Sequence, residues 1–166
     1  MDLREHPRPT CARASWTSLD GDWGFTDGVL DDDPSRLDYP ERIRVPFPPE
    51  SDASGIGRAV CEHPRYRRTF TADPAGGRVL VHFGAVDHDC RVWVNGHRVA
   101  EHSGGYTPFA CDVTDALVPG FNELVVAADD PVADLEIARG KQDWHERPHV
   151  IWYGRSSGIW RSVWLE

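Results

Sequence analysis

From Arg139 to Ser157 the chain carries two clusters, Arg139-Gly140-Lys141-Gln142-Asp143-Trp144-His145 and Trp152-Tyr153-Gly154-Arg155-Ser156-Ser157, that bring flat aromatic rings together with carboxylate, amide and guanidinium groups. A flat aromatic surface packs on an apolar ring face and carboxylates or amides bind hydroxyls, and a few such groups in a concave site make a place for a small polar ligand. The segment supplies both kinds, and Asp143, Trp144, Trp152 and Arg155 are the side chains to follow. Each also has a plain structural alternative. Trp152 and Tyr153 precede a strand and would then pack beneath the loop, while Arg155 would pair with an acidic neighbour or with a further domain.

Other chemistry-bearing groups have weaker patterns. Arg68 falls between Tyr66 and Phe70 on one face of an alternating run, and a guanidinium there calls for a carboxylate such as Asp87 or Asp89. His82 sits in an apolar strand and reads as a core or edge histidine. Cys11, Cys61, Cys90 and Cys111 form no CxxC pair, so they read as free thiols, with Cys90 and Cys111 acting as small hydrophobes in strands. The acidic runs Asp31-Asp32-Asp33 and Asp129-Asp130 lack EF-hand spacing and read as solvated loops. No metal and no cofactor is expected.

Composition narrows the function classes. The 166 residues carry 27 acidic against 18 basic side chains, a net charge of −9, which is the wrong sign for a nucleic-acid footprint. No stretch approaches the roughly 20 apolar residues of a membrane span, and MDLREHPRP has no apolar leader core. A cytoplasmic chain with no nucleic-acid or membrane partner is the expectation. Its length suits one domain, and 40% hydrophobic content suffices for a core.

The elements that must position the 139–157 segment read as strands. Residues 1–15 suggest an extended arm, and 16–166 the domain proper. Asp20-Gly21 turns into a strand with Trp23 and Phe25 on one face. Ile43 and Val45 alternate before Pro46-Phe47-Pro48-Pro49, which belongs at a sheet edge or in a loop. Arg65 to Thr71 alternates, and Val79 to Phe83 is apolar enough for a strand covered on both sides. Val92-Trp93-Val94, Asn95-Gly96 and His97-Arg98-Val99 spell a β-hairpin, because the turn pair tolerates φ > 0. Thr114 to Leu117 suggests one helical turn capped by Thr114 and closed by Pro119-Gly120. Leu124 to Val126 begins a strand, 129–149 is a long polar loop, and Ile159 to Leu165 is a closing strand. Thirteen Pro and fifteen Gly spread along the chain suit this all-β reading. Two antiparallel sheets closing on each other give a sandwich.

In order, Trp16-Thr17-Ser18-Leu19-Asp20-Gly21-Asp22-Trp23, Tyr66-Arg67-Arg68-Thr69-Phe70, the phrase from Arg78 to Val126, and Ser157-Gly158-Ile159-Trp160 to Glu166 resemble the N-terminal sugar-binding domain of glycoside hydrolase family 2. This is the family of β-galactosidases and β-glucuronidases. The resemblance implies a galactose-binding-like jelly roll followed in the parent protein by an immunoglobulin-like domain and a TIM barrel that holds two catalytic glutamates. Retaining hydrolysis needs two carboxyl groups about 5–5.5 Å apart. Neither barrel motif is present, so no catalytic residue is expected here and the domain alone should be inactive. Asn122-Glu123 matches the dipeptide around the family's acid/base, but it stands at a turn entering a strand.

By the same resemblance, a loop of this domain reaches the barrel mouth, and residues 139–156 correspond to it. That implies substrate-binding roles for Asp143, Trp144, Trp152 and Arg155, with carbohydrate as the ligand. Two other functions fit the residues: an autonomous carbohydrate-binding module, and a structural module that docks other domains and self-associates through its exposed apolar surface.

Overall fold

The computed structural model describes residues 6–13, 15–28, 34–145 and 147–166. The run Asp31-Asp32-Asp33 lies outside the described residues. Among them the strands are β1 (Thr17–Ser18), β2 (Gly21–Asp27), β3 (Glu41–Val45), β4 (Pro64–Ala72), β5 (Leu80–Phe83), β6 (Val86–Asp87), β7 (Asp89–Val94), β8 (His97–Ser103), β9 (Phe109–Asp112), β10 (Gly120–Asp129), β11 (Gly158–Ile159) and β12 (Val163–Leu165). Among the described residues helical structure is confined to 3-10 turns, and no helix is long and apolar enough to cross a membrane.

Pairing is antiparallel throughout these strands. A six-stranded sheet runs β3-β2-β4-β10-β7-β8, a four-stranded sheet runs β1-β12-β5-β9, and β11 pairs with β6. The alternation in the sequence decides which side chains meet. Trp23 and Phe25 from β2, Tyr66 from β4, and Leu124 and Val126 from β10 face Val81, Phe83, Cys111, Val163 and Leu165 of the smaller sheet in one core. Tyr66 is edge-on to Phe25 at 5.3 Å and to Trp23 at 6.4 Å. The architecture is the all-β, jelly-roll sandwich of two antiparallel sheets.

Strand β10 is central and buried on both sides. Its other face, Val125 and Ala127, packs with Trp93 and Tyr39 in a second small cluster. At the hairpin, Asn95 and Gly96 take φ of 50° and 80°, as the turn pair requires. Strand β3 lies at an edge, with Pro46 directly after it. Beneath the smaller sheet His82 stacks on Trp164, with centroids 4.9 Å apart, and its Nε2 lies 3.4 Å from Glu166.

Four expectations are corrected. The closing strand is two pieces: β11 pairs with β6, β12 pairs with β5, and Trp160 to Ser162 cross between sheets. The alternating letters hide this jog because Trp160 turns outward, donating Nε1–H to the Gly105 carbonyl at 2.8 Å. The turn at Thr114–Ala116 is not capped by Thr114, which lies inside it; that hydroxyl accepts the Val79 N–H instead. Arg68 reaches neither Asp87 nor Asp89. It donates to the Asp22 carbonyl at 2.9 Å and lies over Trp23. Asp129-Asp130 is not a free solvated run: Asp130 is 1% exposed, and Asp129, only partly exposed, binds Arg65 at 2.6 Å and Arg91 at 2.8 Å.

Candidate functional site

The 139–157 segment leaves the sandwich after β10 and returns at β11, and buried charges fix both its ends. Arg155 Nη2 donates to Asp130 Oδ2 at 2.6 Å and to the Asp130 carbonyl at 3.0 Å. Arg139 reaches the other carboxylate oxygen at 3.3 Å and also the Pro131 carbonyl. Both Arg155 and Asp130 are sealed from solvent, so the pair is a rigid base rather than a free recognition group.

Gln142 ties the segment to the sandwich. Its Nε2 donates to Asp87 Oδ2 at 2.7 Å and to the Tyr106 hydroxyl at 3.1 Å, while its Oε1 accepts the Ser156 N–H at 2.7 Å. Beside it, Asp143 N–H bonds the Tyr153 carbonyl and Tyr153 N–H the Lys141 carbonyl, so the two arms of the loop run together. Burial, and then the nearby Asp130 carboxylate, push the Asp87 carboxyl up to about 6. A raised carboxyl can mark a catalytic acid. Asp87, however, is 1% exposed and so tightly covered that a Cβ on Gly105 would stand 2.1 Å from its Oδ1.

Asp143 is fully buried. Oδ1 accepts the His145 N–H at 3.0 Å and Oδ2 the His149 N–H at 2.8 Å; the Nδ1 atoms of the same two histidines lie 3.0 and 2.5 Å from these oxygens. Burial pushes the Asp143 carboxyl up, but the hydrogen bonds of His145 and His149 outweigh it and hold the group below the usual carboxylate range. The carboxylate therefore organises the turn it sits in.

The aromatic side chains are what this frame presents. Trp144 is 52% exposed and Tyr153 64%, while Trp152 is half-buried with its ring 5.4 Å from Trp144 and edge-on to it. Val150 and Ile151 stand out at the tip. A groove of about 370 Å³ runs beneath, lined by Tyr106, Gly140, Lys141, Gln142, Tyr153, Gly154, Ser156 and Trp160. Of the four residues singled out in the sequence, Trp144 and Trp152 adjoin at the surface, and Asp143 and Arg155 lie within. Tyr106 and Trp160 were missed. The signal for Tyr106 was the preceding Gly104-Gly105, of which Gly105 has no room for a side chain because Asp87 lies against it.

Asn122-Glu123 is spent on structure. Asn122 is buried and bonds Val118, Gly120 and Asn95, and Glu123 lies 4.0 Å from Arg67.

A family model described as glycosyl hydrolases family 2, sugar binding domain, matches residues 35–166. A β-galactosidase of Thermoanaerobacter pseudethanolicus is 36% identical over 104 residues, 61% of this chain and 13% of that protein. A β-glucuronidase of Paenibacillus borealis is 42% identical over 57 residues, 33% of this chain and 10% of that protein. Among solved structures, a Bifidobacterium dentium β-glucuronidase complexed with coumarin-3-O-glucuronide superposes with a TM-score of 0.68 at 27% identity, over 93% of this chain and 30% of that one. The Faecalibacterium prausnitzii β-glucuronidase gives 0.66 at 28%, over 91% and 31%. The chain thus spans only a small part of the length of these relatives.

Proposed function

Because the chain belongs to the sugar-binding domains of family 2 glycosyl hydrolases, we propose that it serves a larger β-glycosidase in which residues 139–156 form one wall of the sugar site. The observation that carries this reading is the pairing of an exposed Trp144 and Tyr153 with a frame whose charges are already satisfied. A flat aromatic face on a rigid base binds a sugar ring with little ordering cost. In this reading Trp144 makes the contact, Trp152 backs it, and Asp143 and Arg155 hold the loop in place.

The parent's other domains, an immunoglobulin-like sandwich and a TIM barrel by family resemblance, are the proposed partners. The exposed Val150 and Ile151 support docking of this loop against them. Hydrolysis belongs to the barrel, so the domain by itself is proposed to lack turnover. The four free thiols fit a reducing cytoplasm.

The test is titration of the 166-residue chain with β-glucuronides and β-galactosides, read at the tryptophans, alongside a nitrophenyl glycoside assay. A weak response confined to the loop, with no turnover, is expected. Turnover by the chain alone would refute the assignment of chemistry to another domain. Saturable binding at millimolar concentration or below would favour an autonomous carbohydrate-binding module instead.

A further inference from the structure

We propose that Asp143, His145 and His149 form a site for a divalent transition cation of the Zn²⁺ class, which clamps the turn beneath Trp144. One ligand atom from each of the three residues lies within 4.8 Å of the others. Carboxylate oxygen and imidazole nitrogen are the donor types that Zn²⁺ accepts, and a tetrahedral site with bonds of about 2.0–2.2 Å sets its ligand atoms roughly 3.3–3.5 Å apart. The two carboxylate–imidazole separations, 3.0 Å for Oδ1 to His145 Nδ1 and 2.5 Å for Oδ2 to His149 Nδ1, are each within about 1 Å of that spacing.

Two further observations point the same way. Asp143 is fully buried, and the backbone N–H groups of His145 and His149 already hold one direction on each oxygen, leaving the carboxylate fixed toward the two rings. The rings themselves are exposed, with centroids 4.6 Å apart and nearly perpendicular, so an ion can enter from solvent without opening the fold. Both rings also touch Trp144, at 5.3 and 5.8 Å. Any proton on a ligating ring nitrogen passes to solvent as the metal bond forms. Three protein ligands leave a fourth position open.

The test is calorimetric titration of the chelator-treated full chain with ZnCl₂, comparing wild type with His145→Ala, His149→Ala, Asp143→Asn and Cys11→Ser. About one equivalent should bind, and each histidine variant and Asp143→Asn should weaken binding by about tenfold or more. Cys11→Ser should bind as wild type does. His145 and His149 are exposed, so their variants keep the test valid should Asp143→Asn fail to fold. Absence of binding by wild type, or equal binding by the His145→Ala/His149→Ala double variant, would overturn the proposal. Paramagnetic Ni²⁺ gives a second readout, since it should quench fluorescence in wild type more than in Trp144→Phe.

Discussion

Asp130 Oδ2 and Arg155 Nη2 stand 2.6 Å apart with both side chains sealed from solvent, and this pair joins the end of β10 to the far end of the candidate loop. Arg139 shares the same carboxylate from the near end of the loop, so one acidic residue fixes both arms.

Removing that acid should therefore cost more than a surface ion pair. Asp130→Asn strands a buried guanidinium, and a loss of about 3–5 kcal/mol is expected by urea denaturation. Increased proteolytic cutting within 139–156 should accompany it. A loss below about 1 kcal/mol would mean that water reaches the pair after all.

At two glycines an added side chain would overlap its neighbours most severely. A Cβ at Gly158, where φ is +66°, would stand 2.1 Å from the Tyr66 hydroxyl, and one at Gly105 would stand 2.1 Å from Asp87. Gly158→Ala and Gly105→Ala should each destabilise by about 2–4 kcal/mol in thermal or urea melts. Gly76→Ala, with nothing within 4 Å, should change stability by no more than about 0.5 kcal/mol.

Asp87 should give the protein a pH signature of its own. Its carboxyl is raised from the ordinary 3.8 to about 6 in the folded state, so the unfolded chain ionises first. Its stabilising contribution is complete below about pH 4 and is lost as pH rises through 6, by about 2–3 kcal/mol at most. Urea melts of wild type and Asp87→Asn at pH 4 to 7 should show the variant gaining relative stability with pH. Parallel curves would contradict the raised value.

Much of this fold was legible because its signals are local. Asn95-Gly96 needs only its own backbone to make the hairpin, and Trp23 and Phe25 show their common face by spacing alone. The exceptions all depend on distant partners. Asp129-Asp130 looks like a solvated charge run until Arg65, Arg91 and Arg155 converge on it from three separate segments. Trp160-Arg161-Ser162 alternates like a strand, yet the chain crosses between sheets there because Trp160 finds Gly105. The loop's composition announced aromatic and charged groups. Which of them turn outward was set by Asp143 binding its own histidines and by Arg155 finding Asp130.

The indole N–H signals in a nitrogen–proton correlation spectrum test the sugar-site reading most directly. The seven tryptophans give seven such probes, and addition of a β-glucuronide or β-galactoside should shift those of Trp144 and, less, Trp152, while buried Trp23 and Trp164 stay still. Trp144→Phe should abolish the response. Shifts centred elsewhere, or none with any glycoside up to saturation, would contradict a sugar-facing role for this loop.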